Sequence, residues 1–441
     1  MKNQKRGFIG VILGLALLLL CGCGGGGGGG TDPIVPPAEP TKDPLAASNT
    51  EDPGRPAVAY NYNLDEFLVV SATTAADGTS KLVGIIGDNP FDGTIFPDDW
   101  TITIADLQNN ATSSRPAVIF IGTHYCVVFQ DGGIIYALLL DTSGNFVDGS
   151  KVILSTGDGN YLPVMAYDDD NLNQQALVVW VKYIDKSVYY YDLYSTLISF
   201  APPLIVPERL EASLLGLQAG DQNEPAAAFD GTNYLVLWRQ WTDTSQNITL
   251  ASDIYGARVE ATNGTVVGDE FPVSTATGGQ AEPQLAFDDT TLNDPKYLAV
   301  WSDLRNSDQT GYNYDIYGTL ISKTVEPDAI NGNFPINTAE VPIQNFPTVT
   351  WNGINFVVAW ANLDPDTPLN NGIYAEAVNS EGLTDTDAND AANLGFEISQ
   401  QTPEDTLYIY PVASNYLITW VDLSGQSLLG DWFDIYYSVP L

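Results

Sequence analysis

A set of closely similar segments recurs along the chain, and its spacing constrains the fold more than any other feature. The clearest copy, 282–322, contains Glu-Pro, an apolar run, an Asp-rich turn, Tyr-Leu-x-Val-Trp, a polar loop and Asp-Ile-Tyr-Gly. Glu282 lies 58 residues after Glu224, and Trp301 lies 63 residues after Trp238. A period of this length, built from short apolar runs, is typical of a β-propeller or a similar repeat array.

Weaker copies extend the repeat over most of the chain. The copies open with apolar runs at 56–60, 116–120, 163–167, 225–229, 283–287, 347–351 and 407–410. Six copies contain about four strand-like runs each, and the seventh contains three, the last of them at 434–439. The segment 44–58 resembles the one that follows Pro272. We therefore expect it to supply a fourth strand that completes the last blade and closes the ring.

Local residue patterns favour strands throughout. Aliphatic and aromatic residues alternate with a period of two in runs such as 234–238, as expected of strands. Asp-Gly pairs supply turns at 77–78, 131–132 and 230–231. Only 204–217 approaches helical periodicity, and Pro207 interrupts it. The sequence predicts an all-β protein, a β-propeller of seven four-stranded blades.

The N-terminus has the pattern of a targeting segment. Basic residues precede an apolar stretch at 8–20, which runs into Cys-Gly-Cys. This end resembles a bacterial lipobox, which implies lipidation of Cys23 as the first residue of the mature protein. Cys21 fits less well because bulky Leu20 would precede the cut. An ordinary secretory signal or an uncleaved membrane anchor is the alternative.

A spacer separates this segment from the repeats. The glycine run 24–30 is followed by a proline-rich stretch, and a flexible coil joined to a stiffer spacer suits a tether. The predicted division is a signal peptide at 1–22, a tether at 23–43 and a propeller domain at 44–441. Glycine rather than aspartate follows Cys23, which resembles the sorting pattern of outer-membrane lipoproteins. The expected location is the bacterial cell envelope, at the outer membrane.

The charge of the chain excludes one class of partner. It has 16 Lys and Arg against 55 Asp and Glu, a formal net charge of −39, which repels nucleic-acid phosphates. No apolar run after the N-terminal segment approaches the about 20 residues of a membrane helix, so membrane contact is expected only through the lipid. Cys126 is expected to be a small buried core residue rather than a nucleophile. The only histidine, His124, lies in the turn before it.

The units resemble a repeat of bacterial secreted and surface proteins, of the form [Y/F]-L-V-V-W-x-D-x-R-N followed by D-I-Y-G-x-R. The match is sharpest at 301–306 with 315–318, whereas Arg239 and Gln240 replace Ser-Asp in copy four. The first two copies depart further. The resemblance implies a β-propeller outside the cytoplasm, and the repeat has no agreed activity. More loosely, lipid-anchored propellers are known as scaffolds in outer-membrane protein assembly.

We interpret the repeated Asp-Ile-Tyr-Gly segment and the repeated tryptophan as structural rather than functional. An Asp that opens a third strand can accept backbone N–H groups of its own turn, and the following Ile and Tyr divide between the two faces of the sheet. The tryptophan that ends the second run recurs at Trp180, Trp238, Trp301, Trp360 and Trp420. Because these residues recur at equivalent places, we expect packing between blades rather than sugar stacking.

Acidic clusters offer hard oxygen ligands that would suit calcium. They lie at 168–171, 288–289 and 364–366. None has EF-hand spacing, and the nearest approach, 385–389, is followed by Asp390 where the loop needs glycine. Solvated turns are favoured, so no cofactor is expected, with a structural calcium ion as a lesser hypothesis.

No residue is nominated as catalytic. A single histidine cannot form a multi-histidine zinc site, and a Ser-His-Asp triad would depend on one loop residue. The folded part contains no phosphate-binding glycine motif. Two carboxylates could hydrolyse a glycoside, but among 55 acidic residues no pattern selects a pair.

We therefore expect a monomeric, lipid-anchored propeller that acts as a non-catalytic binding or scaffold module for a protein or glycan of the envelope. The loops between second and third runs are the expected contact surface, since they emerge on one face. These loops are 184–190, 242–252, 306–313, 362–371 and 421–433. The alternatives are a glycosidase-like enzyme that uses an acidic pair at the channel, and a calcium-stabilised assembly lipoprotein.

Overall fold

The structure is a computed structural model of the 441-residue chain. It describes residues 47–48, 51–53, 56–75, 79–88, 101–107, 115–168, 174–185, 190–202, 204–207, 212–213, 221–241, 252–288, 295–307, 313–326, 332–338, 343–362, 372–382, 384, 396–400, 412–414, 417–422 and 433–438. Pro40–Leu441 forms one compact unit. The predicted signal peptide and tether, with Cys23, lie outside the described residues, so their boundaries stay predictions.

Within the described ranges, thirty strands form seven antiparallel sheets, one for each predicted copy. Blade 1 has β3 (Ala57–Asn61), β4 (Glu66–Ala75), β5 (Ser80–Asp88) and β6 (Thr101–Leu107), with β2 (Glu51–Pro53) at its edge. Blade 2 has β7 (Ala117–Phe120), β8 (Tyr125–Asp131), β9 (Ile134–Leu140) and β10 (Val152–Ile153). Blade 3 has β11 (Asn160–Tyr167), β12 (Gln175–Asp185), β13 (Tyr190–Ala201), β14 (Leu204–Pro207) and β15 (Ala212–Ser213).

The remaining blades follow the same order. Blade 4 has β16 (Gln222–Phe229), β17 (Asn233–Trp241), β18 (Ser252–Glu260) and β19 (Val266–Ser274). Blade 5 has β20 (Gln280–Phe287), β21 (Lys296–Asp303), β22 (Asp315–Ser322) and β23 (Phe334–Asn337). Blade 6 has β24 (Gln344–Trp351), β25 (Phe356–Asn362), β26 (Gly372–Val378) and β27 (Phe396–Gln400). Blade 7 has β28 (Val412–Ser414), β29 (Leu417–Asp422), β30 (Phe433–Ser438) and β1 (Ala47–Ser48).

The blades close into a ring. The first strand of each blade packs against the first strand of the next, in the order β3, β7, β11, β16, β20, β24, β28 and back to β3. The N-terminal β1 pairs with β30, with Ala47 opposite Asp434. The predicted all-β propeller, closed by an N-terminal strand, is confirmed. Closure removes the exposed sheet edges that an open array would leave.

Blade 3 departs most from the predicted runs. Its central hairpin continues past Trp180 and pairs Tyr183 with Tyr191, whose rings lie 4.2 Å apart. The segment that most resembled a helix forms β14 and β15, which both pair with β13. In blade 7 the predicted first run, 407–410, lies outside the described residues, and the first strand that the structure describes there is β28, which begins after that run.

The core lies between blades. The tryptophans of the second strands, Trp180, Trp238, Trp301 and Trp360, are fully buried. Each belongs to a cluster that contains the second and third strands of the preceding blade. Burial of one such ring contributes up to about 4–6 kcal/mol. The expectation of packing between blades is confirmed for these four.

Cys126 is a core residue, as predicted. Its side chain is fully buried among blade 2 and blade 3 residues, and burial raises the pKa of its thiol. A buried neutral thiol is a poor nucleophile. Among the residues that the structure describes, no helix is long and apolar enough to cross a membrane.

Candidate functional site: the two mouths of the central channel

The Trp-x-Asp-x-Arg segment of blade 5 forms one hydrogen-bond network. The fully buried Asp303 accepts from Trp301 Nε1 at 2.7 Å and from the Arg305 backbone N–H at 2.8 Å. Arg305 also donates to this carboxylate through Nε at 3.0 Å and Nη2 at 2.6 Å. Its guanidinium lies 3.9 Å from the centroid of the Tyr317 ring. Four donors compensate the buried charge of one aspartate.

Asn306 connects this segment to Asp-Ile-Tyr-Gly. Its Nδ2 donates to Asp315 Oδ2 at 2.7 Å and to the Tyr317 hydroxyl at 3.0 Å. Burial raises the pKa of Asp315 to about 6, and the hydrogen bond from Asn306 opposes that shift. Ile316 packs towards blade 6 and Tyr317 towards blade 4, which confirms that they divide between two faces. A Cβ on Gly318 would lie 3.0 Å from the Ala299 backbone oxygen and 2.9 Å from Ile336 Cδ1, so the glycine allows close packing at this point.

Blade 4 also supplies an acceptor for the indole N–H of its tryptophan, but with a different residue. Gln240 stands where blade 5 has Asp303, and its Oε1 accepts from Trp238 Nε1 at 3.1 Å. Arg239 turns instead to the channel, where its Nη1 donates to Glu224 Oε1 at 3.2 Å. Both versions use their polar groups within the protein, which supports the structural interpretation of the motif.

A strained residue recurs at one end of the first strands. Leu162, Glu224, Glu282 and Phe346 have φ angles of 52°, 53°, 57° and 57°, in the left-handed region that non-glycine residues rarely adopt. Each precedes a proline, and the strand pairing shifts register at the same place. Such a backbone persists only where its surroundings hold it.

The neighbouring blade supplies that support through the two glutamates. The backbone N–H of Glu282 donates to Glu224 Oε2 at 2.7 Å, and that of Phe346 donates to Glu282 Oε2 at 3.0 Å. The equivalent residue of blade 3, Leu162, has no carboxylate. The backbone N–H of Glu224 in blade 4 therefore donates to Asn223 Oδ1 at 2.8 Å instead. Each glutamate therefore holds the left-handed residue of the next blade.

These residues surround the first of two cavities, which we call the polar mouth. It has a volume of about 240 Å³. Its wall includes Arg115, Leu162, Glu224, Glu282 and the prolines Pro56, Pro116, Pro163 and Pro225. Glu282 has a further donor, Ser302 Oγ at 3.2 Å, and Glu224 has Arg239. Both carboxylates of this mouth therefore already serve as acceptors within the fold.

The opposite ends of the first strands form a wider cavity of about 700 Å³, which we call the aromatic mouth. Tyr62 lines it, and so do six aromatic residues of the first strands, one from each of blades 1 to 6: Tyr60, Phe120, Tyr167, Phe229, Phe287 and Trp351. Each follows a proline of the polar end by four residues. Alternate strand residues face the same side, so this spacing places proline and ring about 13 Å apart along one face.

Neighbouring rings hold the aromatic mouth in shape. In five blades the mouth residue stands directly opposite an aromatic residue of the second strand, with centroids 4.8 to 5.1 Å apart. The pairs are Tyr60–Phe67, Phe120–Tyr125, Phe229–Tyr234, Phe287–Tyr297 and Trp351–Phe356. In blade 3, Tyr167 stands opposite Ala176, and its ring contacts Phe200 at 5.8 Å.

The charged residues of the aromatic mouth have partners. Lys323 Nζ donates to the backbone oxygen of Asp230 and lies 5.0 Å from the centroid of the Phe287 ring. The Asp230 carboxylate accepts the N–H groups of Thr232 and Asn233, each at 2.8 Å. The rest of the described wall is aromatic, aliphatic or uncharged polar.

The tryptophan of this mouth differs from the core tryptophans. Trp180, Trp238, Trp301 and Trp360 each donate their indole N–H to an Asn, Gln or Asp side chain. The buried Trp351 Nε1 has no acceptor among the described residues. Its ring is part of the cavity wall.

Other residues considered from sequence lie elsewhere or are not described. The partly buried His124, with Nδ1 2.9 Å from Thr123 Oγ1, lines neither mouth. No group of three or more His, Cys, Asp or Glu residues in the described ranges is placed to hold a metal ion. Of the acidic clusters, only Asp168 and Asp288 are described, and both are buried. The predicted contact loops fall mainly outside the described residues.

Sequence reasoning missed both the glutamate link and the aromatic mouth. A signal for the mouth was present, because Pro-x-x-x-aromatic recurs in six copies, from Pro56 with Tyr60 to Pro347 with Trp351. In the seventh copy Asn415 takes the aromatic position after Pro411. The link had no such signal, since it depends on the backbone of the next blade.

Comparison with known proteins supports the fold and no more. No family and no curated protein matches the sequence. A puromycin hydrolase structure aligns with a TM-score of 0.50 at 13% identity, over 88% of this chain and 52% of the hydrolase. An α-L-arabinofuranosidase of Fusarium graminearum aligns at 0.44 and 10% identity, over 74% of this chain and 92% of that one. A β-propeller domain of Myceliophteria thermophila aligns at 0.40 and 11%, over 88% and 99%. The two lower scores carry no further argument.

Proposed function

We propose that the protein is a lipid-anchored, extracytoplasmic propeller that binds a partner without catalysis, and that the aromatic mouth is its binding surface. The observation that carries the proposal is the contrast between the two mouths. The aromatic cavity of about 700 Å³ falls within the roughly 300–1,000 Å³ typical of ligand pockets. The polar cavity is smaller, and its carboxylates are committed to blade contacts.

The enzyme alternative requires a pair of carboxyl groups that face open space, one as general acid and the other as base or nucleophile. Glu224 and Glu282 accept backbone N–H groups that hold the next blade. Their alignment with a substrate would compete with the hydrogen bonds that support a left-handed backbone. This competition favours a binding function over hydrolysis.

The location is proposed from the N-terminal pattern. Lipidation of Cys23 would place the propeller at the outer membrane behind a flexible tether. Labelling of growing cells with an alkyne palmitate analogue is expected to mark the protein and to fail with Cys23→Ala. Equal labelling of both would contradict the anchor.

The function is tested with the tagged full-length protein in detergent. A pull-down from solubilised envelope, with partners identified by mass spectrometry, is run beside a glycan array. Recovery of a stoichiometric partner, or of a bound glycan that stays intact on prolonged incubation, supports a binding module. Cleavage of a glycan that is lost with Glu224→Gln or Glu282→Gln, in variants that remain folded, would establish the enzyme alternative.

A further inference from the structure

We infer that the aromatic mouth takes an uncharged oligosaccharide, held by ring stacking rather than by ion pairs. The inference rests on the proposed binding function and names its ligand class.

The shape of the mouth is set before a ligand arrives. Five of its rings are packed against a second aromatic ring across the strand pair, and all six belong to the first strands. Rigid aromatic side chains give large contact area with little loss of conformational entropy. At about 30 Å³ per water molecule, the cavity has room for roughly 20 waters. That space suits a few linked sugar rings better than a single one.

The chemistry of the wall matches the two kinds of surface on a sugar. The face of a pyranose carries C–H groups that pack against the negative face of an aromatic ring, and its edge carries hydroxyls. Three lining residues, Tyr60, Tyr62 and Tyr167, combine a flat ring with a hydroxyl. The Trp351 Nε1 is buried, so this residue would offer a sugar the face of its ring.

The charge of the protein selects against acidic glycans. The net charge of −39 repels polyanions over the whole surface. The Lys323 ammonium, the one basic group of the described wall, is held by Asp230 and covers Phe287. Asp230 is buried, and its Oδ1 accepts two N–H groups of its own turn, so the described mouth presents little negative charge to a cationic peptide.

The test is isothermal titration of the full-length protein in detergent with cellohexaose, mannohexaose and chitohexaose, and with hexagalacturonate as the acidic counterpart. Tyr167→Ala and Trp351→Ala remove rings from the mouth. Tyr167→Phe keeps the ring. Ile153→Ala, on the outermost strand of blade 2 with its side chain 59% exposed, is the control for loss of an apolar surface group.

We expect at least one neutral hexasaccharide to bind and hexagalacturonate not to bind. Each alanine variant is expected to weaken binding about tenfold, and Ile153→Ala to leave it unchanged. Tyr167→Phe, which keeps the ring and removes the hydroxyl, is expected to weaken binding less than Tyr167→Ala. Absence of binding to every neutral hexasaccharide overturns the inference, as does binding that survives both alanine substitutions. Thermal melts of all variants establish that a lost affinity is not a lost fold.

The outcome separates this inference from the proposed function. If no sugar binds but the envelope pull-down recovers a stoichiometric partner, the carbohydrate class is wrong and the binding function stands. If neither a sugar nor a partner binds, both fail.

Discussion

The two mouths of the channel are formed by the same first strands, yet they use their side chains in opposite ways. At the polar mouth, Glu224 and Glu282 accept N–H groups of the following blade. At the aromatic mouth, the rings brace one another within a blade and still line a cavity of about 700 Å³. The difference teaches that charged, repeated residues can serve the structure, while the surface proposed for binding is made of aromatic residues that resemble core residues in sequence.

The largest expected effect lies in the network at the polar end of blade 5. Asp303→Ala removes the acceptor of four donors in a fully buried site and leaves the Arg305 charge uncompensated. We expect a loss of about 3–5 kcal/mol in the free energy of unfolding, measured by urea denaturation. Gln240→Ala is the matched control in blade 4, where one donor, Trp238 Nε1, is lost, and about 1 kcal/mol is expected. Equal losses would show that the Asp303 network does not act as a unit.

The glutamate link is expected to have the next largest effect. Glu282→Ala leaves the Phe346 N–H and the Ser302 hydroxyl without their acceptor, at a cost of about 2–3 kcal/mol in unfolding free energy. Glu282→Gln keeps an oxygen that can accept the N–H, and is expected to cost about half as much. A stability unchanged by Glu282→Ala would contradict the role of the polar mouth in holding consecutive blades together.

The polar end should also respond to pH, through Asp315. Burial raises its pKa to about 6 in the folded protein, above the roughly 3.9 of an unfolded aspartate. Between these values the folded state binds more protons, so this group's contribution to stability falls as pH rises from about 4 to 6. Asp315→Asn is expected to remove this fall, which amounts to at most about 3 kcal/mol.

The measurement is the difference in unfolding free energy between the original protein and Asp315→Asn, followed from pH 4 to pH 7. The asparagine variant should gain relative stability across this range. A difference that stays constant with pH would show that Asp315 does not titrate there. Tyr167→Phe, at the aromatic mouth, provides a comparison that should show no such trend.

The smallest stability effect is expected at the aromatic mouth. Tyr167 stands opposite Ala176 and is partly exposed, so Tyr167→Ala should cost only about 1 kcal/mol. Phe229→Ala breaks the ring pair with Tyr234 and should cost more, by about 0.5–1.5 kcal/mol. Thermal melts of both variants check the order, and the reverse order would mean that the blade 3 ring is the better packed one.

The fold was readable from sequence because its signals are local and repeated. Alternation of apolar residues, Asp-Gly turns and the Trp of the second strands in blades 3 to 7 are each visible within a single copy. The likeness of 44–58 to the segment after Pro272 predicted how the ring closes, and β1 pairs with β30 accordingly. The helix-like pattern at 204–217 did not change the all-β prediction, because Pro207 interrupts it. The structure has β14 and β15 within this segment.

The site was less readable because its parts meet only in the folded ring. The left-handed conformation of Glu282, for example, depends on the carboxylate of Glu224, which lies 58 residues earlier in the chain. The aromatic mouth gathers rings from six blades, and no single copy shows that they converge. In the sequence of a single copy, an aromatic residue at the end of a first strand looks like a core residue. Only in the closed ring do these residues line the same cavity.

The most direct test of the division between mouths is a crossed measurement on two full-length variants. For Glu282→Ala and for Trp351→Ala, the affinity for the best neutral hexasaccharide and the free energy of unfolding are measured together. The account predicts that Glu282→Ala loses about 2–3 kcal/mol of stability and keeps its affinity, whereas Trp351→Ala loses about tenfold in affinity and stays folded. Loss of affinity in Glu282→Ala alone would contradict it and place ligand binding at the polar mouth.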